Sequence, residues 1–95
     1  MLERVEALKV GDAGRWRVVT QSSAYIFDFD EGTVERLPGP HATPSINDRP
    51  RPIRNIRECG VGKGGWWTMD NDGYNDPNEY YWQKTTSIRS ITCED

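Results

Sequence analysis

An all-β fold in a single small domain is what this sequence predicts. Three observations point there. Apolar and polar residues alternate in short runs, the period-two signature of half-buried strands. Turn residues separate these runs at intervals of roughly eight to twelve residues. No segment keeps helical spacing beyond about two turns, too little for a helix to stand alone. The expected architecture is a β-meander that closes into a small barrel or a strongly bent antiparallel sheet, either of which limits exposed strand edges.

Taken in order, residues 1–13 form an N-terminal segment. Leu2, Val5 and Leu8 fall at helical spacing with Ala7 beside them, so a short amphipathic helix is expected over residues 2–10 before a turn at Val10-Gly11-Asp12. Residues 14–37 read as a three-stranded meander. Its first strand sets Trp16, Val18 and Thr20 on one face, against Arg15, Arg17 and Val19. After the polar turn Gln21-Ser22-Ser23, the second strand sets Tyr25, Phe27 and Phe29 against Ala24, Ile26 and Asp28. Asp30-Glu31-Gly32 has the composition of a three-residue hairpin loop, with Gly32 in the left-handed region. Thr33–Leu37 then returns as the third strand.

Residues 38–52 hold five of the six prolines, so a surface loop without a ladder is expected. Residues 53–93 are read as the C-terminal strands. In Ile53–Glu58 the two isoleucines are out of step, which requires burial on both faces or a bulge. Gly60–Gly65 is a flexible connection and not a P-loop, because no Lys-Ser/Thr ending or helix follows it. Trp66–Met69, Tyr80–Thr85 and Ile88–Cys93 complete the strands, with an acidic turn between the first two.

Composition bounds the function. The chain has 95 residues and a formal charge of −3, with 35% hydrophobic and 11% aromatic residues. Aliphatic residues are few, so the core must lean on its four Trp, four Tyr and two Phe. No apolar run approaches the ~18 residues of a membrane span, and no basic start with an apolar run marks a signal peptide. A cytoplasmic protein that does not engage a membrane is expected. Two cysteines, Cys59 and Cys93, are too few for a disulfide scaffold and too poorly spaced for a zinc site. The acidic balance argues against a general nucleic-acid binder. Nine Arg against three Lys suits a GC-rich genome.

Three constellations carry candidate chemistry. Trp66, Trp67, Tyr80, Tyr81 and Trp82 crowd two strands expected to be neighbours. Period two sends Trp66 and Trp67 to opposite faces, and Tyr81 opposite to Tyr80 and Trp82. One set should fill the core, while the other is free to anchor a partner. Arg49, Arg51, Arg54 and Arg57 form the second group, and could rim such a patch or hold a nucleic-acid strand. On a regular strand Arg54 and Arg57 leave on opposite faces. The third group is Thr68–Glu79, which fits a twelve-residue calcium-loop template with Asp70, Asp72, Asp76 and Glu79 at ligand positions and Gly73 at the turn. Thr68 stands where that template wants Asp, and an acidic β-turn uses the same residues.

Catalysis finds little support. His41 lies in the Pro-rich loop with no nucleophile and orienting carboxylate beside it in sequence. Asp28 and Asp30 share a face but belong to a hairpin end, where turn chemistry explains them.

The runs Arg17–Tyr25, Phe27–Asp30 and Thr33–Gly39, with Ile56–Val61 and Thr85–Ile88, resemble a pattern found in small β-rich proteins of actinobacteria and their phages. That pattern pairs a hairpin of the form V-T-x-S-G-S-x-Y-x-x-D-L-D with T-V-x-R-x-P-G, a proline-bearing loop and a final T-S/T-x-V/I strand. The chain departs from it with Ser23-Ala24 in place of Gly-Ser, and with an expanded Trp-rich stretch over 66–82. The resemblance implies a small cytoplasmic β protein and no particular activity. The expected function is therefore a non-enzymatic interaction module that binds a protein partner, or itself as a homo-oligomer, through exposed aromatics. A single-stranded nucleic-acid binder and a weak calcium-binding structural protein are the alternatives. No other cofactor is expected.

Overall fold

The computed structural model describes residues 3–45, 47–70 and 80–94. Seven strands form one antiparallel sheet: β1 (Arg15–Val19), β2 (Ser23–Asp28), β3 (Thr33–Pro38), β4 (Arg51–Glu58), β5 (Gly64–Asp70), β6 (Tyr80–Ser87) and β7 (Ser90–Cys93). Their spatial order is β6-β5-β4-β3-β2-β1-β7. The two outermost strands, β6 and β7, are consecutive in the chain and separated only by Ile88 and Arg89. The sheet therefore bends hard around its core without closing as a barrel.

The meander follows the expected alternation. Trp16 pairs with Phe27, and Val18 with Tyr25. Phe27 pairs in turn with Val34, and Ile91 of β7 with Val18. All of these face inward and are buried. Gly32 adopts φ +72°, the left-handed value its loop needs. Asp28 Oδ1 accepts the N–H groups of Asp30 and Glu31 at 3.1 and 3.0 Å, so this carboxylate is occupied by turn formation.

β4 bends the sheet. Its first two residues pair with β3 (Val34 with Arg51, Thr33 with Pro52), and the rest pairs with β5. The ladder thus enters the stretch where the prolines argued against one. Pro52 is tolerated because the β3–β4 contact is only two pairs long, and the Ile53 N–H next to it bonds Gly32 O at 2.8 Å. From there β4 carries two irregularities against β5, between Ile53 and Asn55 and between Ile56 and Glu58. Each inserts one extra residue, Arg54 and Arg57 respectively. These bulges are why Ile53 and Ile56 both pack against the core although they are three residues apart.

The expected N-terminal helix is not formed in the described residues. Residues 3–8 run as an extended strap instead. Val5 N–H bonds Ile91 O and Cys93 N–H bonds Glu3 O along the outer edge of β7, while Leu8 N–H bonds Cys59 O and Val61 N–H bonds Glu6 O beyond the end of β4. Leu8 is driven into the core and Val5 packs on it. One or two helical turns would satisfy fewer backbone groups than this strap, which also covers a strand edge.

The edge of β6 is handled differently. Carbonyls of Trp82, Lys84 and Thr86 accept side-chain hydrogen bonds from Asn47 Nδ2 (3.1 Å), Gln83 Nε2 (2.9 Å) and Thr85 Oγ1 (2.7 Å). Asn47 is held for this by the loop before β4. There Asp48 accepts hydrogen bonds from Arg36 Nη1 at 2.8 Å and Ser45 N–H at 2.9 Å. Among the described residues no helix is long and apolar enough to cross a membrane. Neither cysteine is in a disulfide.

Candidate functional site

The three strands β4, β5 and β6 present one face to the core and one to solvent. Their register decides which aromatic goes where. Trp67 pairs with Ile56 and Gln83, and Met69 pairs with Ile53 and Tyr81. This set points inward, so Trp67 and Tyr81 are 1% and 2% exposed. Both leave the expected partner-binding set and belong to the core. Trp67 meets Tyr25 and Phe27 of the opposite layer edge-on. Arg51 leaves the expected set as well: it is 0% exposed, with its guanidinium 4.4 Å over the Tyr81 ring. It opens β4 next to Val34 on the core side, so it cannot rim a surface patch.

The other parity faces outward. Trp66 pairs with Lys84, Thr68 with Trp82, and Asp70 with Tyr80. Trp66 and Tyr80 are each 38% exposed, and Trp82 is 61% exposed. The difference has a local cause. Trp66 sits on the middle strand with Arg57 on one side and Lys84 on the other, whereas Trp82 faces the short side chain of Thr68 across the ladder.

Each of the two half-covered rings carries a cation. Arg54 lies over Tyr80 at 4.2 Å, crossing β5 above Thr68, whose Oγ1 is 3.5 Å from its Nη1. Arg57 lies over Trp66 at 5.1 Å, and Lys84 Nζ over the same ring at 4.5 Å. Such contacts contribute about 0.5–1 kcal/mol each at exposed sites and hold the cations in place. Arg54 and Arg57, expected on opposite faces, share this one because each is the extra residue of a bulge. Arg57, Trp66, Thr68, Tyr80, Trp82 and Lys84 line a shallow groove of about 210 Å³. Arg49 is exposed in the loop leading into β4 and does not line it.

Lys84 lies outside the set expected from the sequence, although its parity with Tyr80 and Trp82 puts it on the face of Trp66, its partner across the ladder. Of the calcium-template residues, Thr68 and Asp70 lie within β5, as extended strand. Asp72, Asp76 and Glu79 lie outside the described residues. Among the described residues no cluster of three metal-ligating side chains occurs. His41 lines a separate surface hollow with Gln21, Ser22, Pro40, Ala42 and Thr86, and no carboxylate or cysteine is among them.

Cys59 and Glu94 lie away from this face. Burial pushes the Cys59 thiol up to about 12, which makes it a structural residue and a poor nucleophile. Glu94 is held below the ordinary carboxylate value by its hydrogen bonds from Arg17, at 2.9 and 3.0 Å.

No family model matches the chain, and no curated protein or solved structure matches it.

Proposed function

We propose that this protein is a non-enzymatic interaction module that binds a protein partner through the outer face of β4, β5 and β6. The observation that carries the reading is Trp82, exposed beside Trp66 and Tyr80 on a face where three cations are already positioned by the rings. Trp, Tyr and Arg are the side chains that dominate binding energy at protein interfaces, and the two aromatics bury much area with little lost rotamer freedom. The reading takes the chain as cytoplasmic, since two thiols outside any disulfide suit a reducing compartment.

A single-stranded nucleic acid is the second reading, favoured by the same coincidence of cations and rings. It is weaker because base stacking needs open ring faces in succession. Trp66 and Tyr80 already carry cations on theirs, which leaves Trp82.

The test compares proteins retained from lysate by the immobilised native chain and by its Trp82→Ala variant, with unfolding followed alongside. The variant is expected to unfold at the native denaturant concentration and to lose the partner. A variant that keeps every protein the native chain keeps would defeat the reading. A steep fall of affinity with salt for an added single strand would favour the second one.

A further inference from the structure

We infer that the partner segment seated on this face is an extended acidic peptide, with carboxylates on Arg54, Arg57 and Lys84 and an apolar side chain against Trp82. The inference rests on the interaction reading above and names the chemistry that the face recognises.

The first argument is charge. Among the described residues no carboxylate pairs with Arg54, Arg57 or Lys84; the described ion pairs are Arg17–Glu94, Arg36–Asp48 and Lys63–Glu58. Two of the described acids share the outward parity of Trp66 and Thr68: Asp70, and Glu58, which stands across from Trp66 and is bridged to Lys63 at 3.7 Å. Three cations therefore stand together on a chain whose formal charge is −3. The sign of this face is local, and its complement is acidic.

The second argument is geometry. A guanidinium held by its flat face against a ring keeps its N–H groups in the plane, open at the rim. A carboxylate takes two such groups in a fork, at roughly twice the strength of a neutral hydrogen bond. Arg54 and Arg57 are already held over Tyr80 and Trp66 before anything binds, so less side-chain entropy is lost on contact. Their bulges set them at different points along β4, level with Thr68–Met69 and with Trp66–Trp67 of β5. That spread suits acids borne by successive outward positions of an extended chain.

The third argument is size. The groove, at about 210 Å³, is smaller than the ~300 Å³ where small-molecule pockets begin. It takes one apolar side chain, not a cofactor. Two copies of this chain meeting through the same patch would gather both sets of Arg54, Arg57 and Lys84 in one seam, since a two-fold contact presents one surface to itself. A nucleic-acid strand would meet rings already capped by cations.

The experiment titrates the full chain with a blocked peptide carrying one leucine between two runs of glutamate, and follows Trp fluorescence. The same peptide with glutamine for glutamate, and a short thymidine oligonucleotide, are the comparison probes. The glutamate peptide is expected to bind, and to weaken as ionic strength rises from about 0.05 M to about 0.3 M. Replacing both arginines (Arg54→Gln with Arg57→Gln), or Trp82→Ala alone, should weaken it by about tenfold or more. Lys84→Gln serves as a second, milder variant should the double one unfold. Equal binding of the glutamine peptide, tighter binding of the oligonucleotide, or no binding of the glutamate peptide would each overturn the inference. If the glutamate peptide fails while Trp82→Ala still loses a lysate protein, only the acidic chemistry falls. If Trp82→Ala loses nothing from lysate, the interaction reading falls with it.

Discussion

The Trp67 indole meets the Phe27 ring edge-on, with centroids 4.8 Å apart and planes at 79°. The contact joins β5 to β2, strands that are not neighbours in the sheet, so it fastens one side of the bend to the other. Tyr25 makes the same kind of contact with the same indole at 5.0 Å. Trp67→Ala should therefore cost about 3–5 kcal/mol of folding stability. Trp82→Ala, at the exposed end of the scale, should stay within about 0.5 kcal/mol of the native chain. Denaturant unfolding of the two variants side by side measures the contrast.

Gly65 supplies the room that Trp67 occupies. A Cβ there would stand 2.5 Å from Trp67 Cζ3 and 2.9 Å from Thr85 Oγ1, which accepts the Gly65 N–H. The indole is walled in by Phe27 and Tyr25 and has no direction in which to give way. Gly65→Ala should destabilise by about 1–3 kcal/mol, as overpacking does. A thermal melt of this single variant reads the effect.

Cys59 predicts an alkaline limb. Its thiol titrates near 9.0 in the unfolded chain and near 12 when folded, because burial disfavours the thiolate. Its contribution is fully present below pH 9.0 and is lost as pH rises toward about 12, where the unfolded chain releases a proton that the folded one retains. Stability measured by denaturant should decline over that window, and the decline should flatten in Cys59→Ala. A thiol reagent near neutral pH should label Cys59 only once the chain has unfolded.

Glu94 and Asp48 predict an acid limb. Arg17 holds Glu94 below its ordinary 4.5. For Asp48, partial burial works in the opposite direction but is outweighed by the Ser45 N–H and the Arg36 guanidinium, and it falls below 3.8. Both contributions are whole above those ordinary values and disappear as pH drops through the lower, folded ones. Arg17 and Glu94 are 39% and 28% exposed, so solvent screens the pair and Glu94→Gln should cost only about 0.2–1 kcal/mol. An acid titration of Glu94→Gln with Asp48→Asn should show a shallower loss than the native chain.

Much of the fold could be read from local chemistry. The alternation of Trp16 and Val18, and of Tyr25 and Phe27, is a two-residue rule that needs no knowledge of the rest of the chain. The Asp30-Glu31-Gly32 loop is a statement about one backbone angle. What failed was non-local. Leu2, Val5 and Leu8 satisfy helical spacing, yet for residues 3–8 the competing partners are carbonyls and amides of β7 and of residues 59–61, far along the chain.

The candidate site divides in the same way. Parity separated Trp66 from Trp67 but could not say which was inside, because that depends on Tyr25 and Phe27 across the bend. Parity misplaced Arg54 and Arg57, since a bulge is a property of two strands together and leaves only a weak trace in one of them. The out-of-step isoleucines were that trace, and they sit next to the bulged arginines. Arg51 was grouped with the others by its residue type, and only pairing with Val34 shows that it enters the core.

The side-chain caps along β6 have a final consequence. An edge whose carbonyls are already engaged by Asn47, Gln83 and Thr85 is a poorer template for an incoming strand. Crowded copies of the chain then meet an outer strand blunted against zippering, and the exposed rings beside it offer a partner side chains in place of a ladder.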